Sequence, residues 1–571
     1  MKKNFIFLII GLFSSFIGTS QIEFQNNANA IGVVFTCGTP YLGSGVSVYD
    51  FDNDGWDDIS FASGFGTDVQ FFKNNNGNFT NLNLNIPFLG YQTKQLNWID
   101  FDNDNDNDLF ITSNTNGNRL FENLGNLNFQ DITISAGFSP LNTFTSGAAW
   151  GDYNNDGFLD VFLANKDTTI DTQTPNQLFR NNGDGTFTDV SIIAGIDSLD
   201  HLSFCASFFD FNNDGWQDIY ISNDKGYKLN QLYKNNGNGT FTEVGASSGS
   251  DVGISAMTVT IGDYNSDGWF DIYITNLGNS VFLRNNGDET FTDIALASGT
   301  EFGSTGWGAV FLDADNDKDL DLYVSGSLYS HPTLLSDAFF ENLNNGTFQI
   351  PNNSGFENIE RNSYSNAVGD INNDGLLDIV VTNGNNQNVL VWENQNTEGN
   401  NWLKVNLEGV TSNRDGIGSV IEININGESQ YRYTQCGQGY IAQNSGTEVF
   451  GVGTSTIIDY VKVSWLSGEE DIFTNVSVNQ TLNITEGSST LGLSNIDNSS
   501  FSVYPNPTEN KVYIKSQLSI TEVRLYDILH KEIDISYNAI DGIDLSNLKS
   551  GVYFLTIINN RKSETVKIIK K

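Results

Sequence analysis

The chain has 571 residues, with 27 Lys+Arg against 69 Asp+Glu, a net charge of −42 and only three cysteines. So acidic a surface repels phosphate backbones and anionic headgroups, which argues against nucleic-acid and peripheral-membrane roles. Cys37, Cys205 and Cys436 show no C-x-x-C spacing, so they read as buried hydrophobes, while 38% hydrophobic and 12% aromatic residues suffice for packed cores.

Residues 1–20 join Lys2 and Lys3 to the apolar run FIFLIIGLF, with Gly18 and Ser20 three and one positions before a break at Gln21. This predicts a secretory signal removed on export, and no later segment reaches the ~18 apolar residues of a membrane span. The expected mature chain is extracytoplasmic, without a membrane span. No cysteine follows the run, which argues against lipid attachment there.

One acidic phrase then recurs seven times: DFDNDGWDD at 50, DFDNDNDND at 100, DYNNDGFLD at 152, DFNNDGWQD at 210, DYNSDGWFD at 263, DADNDKDLD at 313 and DINNDGLLD at 370. Positions 1, 5 and 9 are always Asp, and position 3 is Asp or Asn. Side chains at 1, 3, 5 and 9, with the carbonyl of position 7, give the crowded oxygen shell that calcium takes in preference to magnesium. The candidate ligands are Asp50, Asp52, Asp54, Trp56 and Asp58; Asp100, Asp102, Asp104, Asp106 and Asp108; Asp152, Asn154, Asp156, Phe158 and Asp160; and Asp210, Asn212, Asp214, Trp216 and Asp218. The last three loops offer Asp263, Asn265, Asp267, Trp269 and Asp271; Asp313, Asp315, Asp317, Asp319 and Asp321; and Asp370, Asn372, Asp374, Leu376 and Asp378. Together they place 24 carboxylates in register, a repulsion that calls for up to seven Ca2+ ions. Position 6 must turn sharply: it is Gly in five loops, Asn105 in one and Lys318 in one, which makes the sixth loop the least regular expected. An EF-hand would need Glu at position 12, but Phe61, Ile111, Leu163, Ile221, Ile274, Val324 and Val381 stand there, so each loop runs into a strand.

A second phrase, clearest in LFRNNGDGTFTDVSIIAGI at 178–196, carries a hairpin signal and follows loops one to six. After the seventh loop it is missing, and IEFQNNANAIGVVF at 22–35 supplies it, aligning Phe24 with Phe187 and Gly32 with Gly195. Loops and phrases balance only if the N-terminal segment completes the last unit, which predicts a seven-bladed β-propeller over 21–395. The motif pair resembles FG-GAP/VCBS repeats, the calcium-binding blades also found in integrin α-chains.

From 396 to 487 the period stops and a β-rich segment begins. Asn413, Arg414, Asp415, Gly416, Gly418, the turn GQGY at 437–440, Phe450-Gly451, and Trp465 with Gly468 resemble the ASPIC/UnbV module of the cartilage acidic protein 1 family. Val449 departs from the His expected before Phe-Gly, and the six cysteines of an EGF module are absent. Residues 488–500 read as a linker. Residues 501–571 carry 10 Lys+Arg against 8 Asp+Glu, and their β-rich runs predict a small β-sandwich. FSVYPNPTENKVYIKS and SGVYFLTI resemble the type A sorting domain of the type IX secretion system, which implies contact with that machinery and passage across an outer membrane.

The reading that follows is a secreted or cell-surface calcium-binding recognition or adhesion protein, non-catalytic, with an extracellular protein or glycan ligand. Trp56, Trp216 and Trp269 stand where only a carbonyl is needed, so their rings are candidates for stacking on sugars or packing between blades. Two rival readings are a polysaccharide lyase or hydrolase and a structural surface component. For the first, His201 and His331 form no recognisable constellation, and there is no HExxH or P-loop.

Overall fold

The computed structural model describes residues 22–87, 89–139, 144–166, 174–199, 201–327, 336–356, 360–397, 399–489, 501–516, 520–527, 531–533, 535–538, 542–558 and 563–571. The predicted signal, most of the linker and His331 lie outside them. The chain forms two compact units, one ending at Ser488 and the other beginning at Ser489. Among the described residues no helix is long and apolar enough to cross a membrane.

The first unit is all-β and propeller-like, built from repeated four-stranded antiparallel sheets. The first sheet sets the pattern: Val46–Tyr49, then the acidic loop, Asp58–Phe61, Gln70–Asn74, a tight turn and Phe79–Leu82. Five more repeats follow in chain order, to Phe348–Gln349. The seventh sheet, from Ser363–Gly369, Asp378–Asn383 and Leu390–Asn394, takes its outer strand from Phe24–Asn26, with Phe24 opposite Asn394. Phe24 therefore stands where Phe187 stands opposite Asn181 in the third sheet, as the alignment of the two phrases required.

Successive side chains point to opposite faces of each strand, and in the inner strands both faces are buried. Ile59 and Phe61 face one intersheet core, and Trp98, Leu109 and Ile111 belong to the next. Two contacts repeat between consecutive sheets. The N–H of the outer-strand Phe donates to the sheet before it, Phe79 to Ile31 (2.7 Å), Phe187 to Ala136 (2.7 Å) and Phe24 to Ser354 (2.8 Å). The third-strand Asn donates Nδ2 to the carbonyl at loop position 2 of that sheet, as Asn181 does to Phe101 (2.8 Å) and Asn235 to Tyr153 (2.8 Å). Asn74 of the first sheet bonds in this way to Ile371 of the seventh (2.8 Å).

Residues 401–485 add a three-stranded and a four-stranded sheet around a core that includes Leu403, Ile421, Phe450, Val461 and Trp465. This segment is not a separate bead. Between Tyr433 and Glu448 the chain leaves its own sheets and runs along the inner strands of the repeats. The Trp150 N–H donates to the Cys436 carbonyl (2.9 Å), the Gly439 N–H to Val259 (3.1 Å) and the Ser445 N–H to Val368 (2.9 Å). Ala442–Gln443 pairs in parallel with Val46–Ser47, Gln443 Nε2 donates to the Trp98 carbonyl (2.7 Å), and Gln435 Nε2 donates to the Ser207 hydroxyl (2.5 Å). Tyr440 packs on Phe204 and Trp307 and donates its hydroxyl to the Leu42 carbonyl (2.7 Å). The glycines of QCGQGY now have a reason: at Gly437, with φ of +81°, a Cβ would stand 2.0 Å from the Ala148 carbonyl oxygen. Cys37, Cys205 and Cys436 are all buried free thiols.

The second unit has two four-stranded sheets, built on Lys511–Ser516 and on Gly551–Ile558, with one apolar core that includes Val512, Leu525, Ile543 and Leu555.

Candidate metal centres

Each acidic loop connects the first and second strands of its sheet and folds in one way. Asp50 accepts the N–H groups of Asp54 (3.0 Å) and Gly55 (2.7 Å), and Asp54 accepts that of Trp56 (3.1 Å). Asp152 does the same for Asp156 and Gly157, and Asp370 for Asp374 and Gly375. The sixth loop, expected to be the irregular one, keeps the pattern: Asp313 accepts from Asp317 and Lys318 (both 3.1 Å), and Lys318 adopts φ of +93°. Position 4 also turns left-handed in every loop, which the sequence reading did not single out. It holds Asn53, Asn103, Asn155, Asn213, Ser266, Asn316 and Asn373. The asparagines use their side chains between loops: Asn53 Nδ2 donates to the Asn105 carbonyl (3.2 Å), Asn103 to Gly157 (2.9 Å) and Asn373, from the last loop, to Gly55 of the first (3.1 Å).

The position-9 carboxylates Asp58, Asp108, Asp160, Asp218, Asp271, Asp321 and Asp378 begin the second strands and are buried. Asp58 accepts N–H groups from Phe51 (3.2 Å) and Asn74 (2.7 Å), and Asp160 accepts from Tyr153 and Asn181. Burial, added to the charges of their own loop, pushes these groups up, Asp58 to about 8 and Asp108 to about 9. At position 1, burial raises Asp100 and Asp152 to about 7.

Oxygens of Asp50, Asp52 and Asp58, of Asp100, Asp102 and Asp108, and of Asp313, Asp315 and Asp317 converge within 4.8 Å of one another. In the third, fourth, fifth and seventh loops Asn replaces the position-3 Asp, and its Nδ2 donates to the position-5 carboxylate, as Asn154 does to Asp156 (2.7 Å). That orientation leaves the amide oxygens of Asn154 and Asn212 for the site, whereas that of Asn372 accepts the Asp374 N–H (3.1 Å). Asp52 Oδ1, Asp102 Oδ1, Asn154 Oδ1, Asn212 Oδ1, Asp271 Oδ2 and Asp319 Oδ1 are buried with no hydrogen-bond donor. Buried acceptors of this kind, all oxygen and mostly anionic, suit a hard divalent cation. Two loops carry a built-in ammonium: Lys73 reaches Asp52 and Asp54, and Lys404 of the 401–485 segment pairs with Asp370.

Three of the position-7 rings fold back on their own sheet. Trp216 and Trp269 lie over Gly237 and Gly287 of their own sheet's hairpin turn, and Phe158 lies over Gly183. His201 is tied to Asp197 (2.8 Å).

Residues 50–324 match the FG-GAP-like repeat family in five overlapping stretches (50–111, 100–163, 152–221, 210–274 and 263–324), and 362–392 match the FG-GAP repeat. The chain is an FG-GAP repeat protein. Residues 409–491 of this FG-GAP protein match the ASPIC and UnbV family, and 502–571 match the secretion system C-terminal sorting domain, which marks the protein for the cell surface or for release. It is 24% identical over 461 residues to cartilage acidic protein 1 of Xenopus tropicalis, covering 75% of this chain and 62% of that one. Against the Homo sapiens protein the figures are 23% over 352 residues, 60% and 44%, so the FG-GAP protein spans about half to two thirds of these relatives. Among solved structures it is similar to an Agrocybe aegerita lectin described as recognising non-reducing terminal N-acetylglucosamine. That likeness has 20% identity and a TM-score of 0.36, covering 57% of this chain and 83% of the other, too low to carry fold or function across.

Proposed function

We propose that residues 22–395 form a calcium-stabilised, seven-bladed propeller whose N-terminal strand closes the ring, and that together with the 401–485 segment it serves outside the cell as a non-catalytic recognition protein. The 501–571 unit, a small β-sandwich in this reading, serves export. The observation that carries the calcium assignment is the convergence of carboxylate oxygens in the first, second and sixth loops, together with buried oxygens without donors at position 3 of four loops (Asp52, Asp102, Asn154 and Asn212), at position 9 of the fifth (Asp271) and at position 7 of the sixth (Asp319). Closure is supported by the bonds from Asn373 to Gly55 and from Asn74 to Ile371, which join the last repeat to the first. Asp52, Asp102 and Asp315, with the flanking position-1, -5 and -9 carboxylates, would hold the ions of loops one, two and six; asparagine oxygens would substitute in the other four. Bound calcium would neutralise the loops and fix them as a rigid surface, lowering the entropic cost of holding a ligand. A scaffold role for the ions also explains why Lys73 and Lys404 can stand in for part of their charge.

The test is metal analysis of the secreted protein together with retention of a glycan and glycoprotein panel, in calcium and in chelator. Several calcium ions per chain, and calcium-dependent retention without new reducing or unsaturated ends, is the expected result. A metal-free protein that melts identically in chelator overturns the calcium assignment, and new chain ends overturn the non-catalytic one.

A further inference from the structure

At the end of the strands remote from the acidic loops, the repeats hold a cluster of opposite sign. Lys94 precedes Leu96–Ile99, which leads into the loop at Asp100, and Lys166 follows Asp160–Asn165, which leaves the loop at Asp152; both lysines thus lie at the far ends of these strands. Both are buried, 2% and 7% exposed. Lys94 Nζ donates to the carbonyls of Tyr41, Leu42 and Gly43, and among the described residues no carboxylate pairs with it. Lys166 pairs with Asp224 (2.6 Å) and lies 3.4 Å from the centroid of the Phe204 ring. Asp224 is shared with Lys225 (2.9 Å), so among the described residues Lys166 and Lys225 share one carboxylate and Lys94 pairs with none, in a chain whose net charge is −42.

Burying an ammonium without a counter-ion is costly: burial, with Lys166 nearby, pulls Lys94 down to about 7, and burial pulls Lys166 down to about 8 despite Asp224. Lys94 and Lys166 line a cavity of about 200 Å³ whose wall adds the polar side chains of Gln92 and Asn114. Its rim carries Tyr41 and Phe65, 60% and 64% exposed. Two lysines at the floor that a bound anion would hold charged, amide groups on the wall and exposed aromatic faces at the mouth form a site for a ring that is apolar on one face, hydroxylated at its edge and anionic at one end.

We propose that this cavity binds one acidic sugar unit, its carboxylate or sulfate beside Lys166 in the field of Lys94 and its ring against Tyr41 and Phe65. This rests on the recognition reading and names its ligand class. The overall charge of the chain repels polyanions, so any such binding is a property of the site.

The experiment is calorimetric titration of the full secreted protein at fixed free calcium with three probes: a uronic-acid trisaccharide, a sulfated disaccharide and a neutral trisaccharide. Expected is at least tenfold tighter binding of one acidic probe than of the neutral one, the preferred probe showing whether the anion is carboxylate or sulfate. Lys166→Gln should weaken it tenfold or more, and Phe65→Ala, at an exposed position that leaves the melting curve unchanged, should weaken it several-fold. Equal binding of all three probes, no binding of either acidic probe, or acidic binding indifferent to Phe65→Ala overturns the proposal. If neutral glycans or glycoproteins are retained while acidic probes are not, the recognition reading stands and this ligand class falls; if nothing is retained, both fall.

Discussion

Lys318 shows how much of a repeat one residue controls. Five loops place Gly at position 6, and the sixth holds the same left-handed turn with a lysine, at a cost of about 1 kcal/mol relative to Gly. Its ammonium pairs with the exposed Glu428 (2.7 Å), a contact worth ~0–1 kcal/mol at a surface. Lys318→Gly is therefore expected to be neutral to stabilising by up to about 1 kcal/mol, read from denaturant midpoints at fixed calcium. Clear destabilisation would mean that the Glu428 pair holds the 401–485 segment to the loops. Lys73 bears on the ion itself, since it lies on Asp52 and Asp54, whereas Glu122 and Glu341 occupy the same place beside the second and sixth loops and add negative charge there. Lys73→Gln should tighten calcium binding at the first loop by up to about tenfold, the equivalent of ~1.4 kcal/mol of relieved charge repulsion. A calcium titration in which the variant and parent coincide would show that Lys73 swings clear when the ion enters.

At the scale of the element, the second and third strands and the missing seventh phrase are legible in the sequence because a period of about fifty residues repeats their apolar positions and turns. What that period cannot reveal is contact between residues far apart in the chain. Asn74, Asn181 and Asn235 read as halves of an NNG turn, yet their side chains staple neighbouring sheets, and only the packed repeats give them that second partner. The rings of Trp216 and Trp269 are open to two readings in the sequence because nothing in the repeat says that they fold back on their own hairpin. The segment 434–447 was hardest to read: QCGQGY looks like any glycine turn, and its glycines answer to the backbone of other sheets. Gly437→Ala tests this against Gly468→Ala. Both residues have positive φ (+81° and +85°), but a Cβ at Gly468 meets nothing within 4 Å, whereas one at Gly437 meets the Ala148 carbonyl. Overpacking adds roughly 1–3 kcal/mol to the backbone term common to both, so Gly437→Ala should be the more destabilising by that margin in chemical denaturation. Equal losses would mean that the segment is loosely held between the sheets.

For the whole molecule the dominant fact is how much acid it buries. Carboxyl groups ordinarily titrate near 4, yet burial and neighbouring charges push Asp152 to about 7, Asp58 to about 8 and Asp108 to about 9. A carboxyl whose folded value is raised holds its proton more tightly in the native state, so the unfolded chain binds fewer protons between the two values. Without metal the stability contribution is complete below about pH 4 and is lost as pH rises towards about 9. Calcium held as proposed would invert the balance, because it would bind only the ionised oxygens of the native loops and stabilise by about 2.7 kcal/mol per site at a hundredfold excess over Kd. The FG-GAP protein in chelator should therefore melt at progressively lower temperature between pH 5 and pH 8, and in saturating calcium the trend should flatten or reverse. Parallel pH profiles in the two buffers would mean that the ions do not reach these carboxylates, and the charge of the loops would then need another source of compensation.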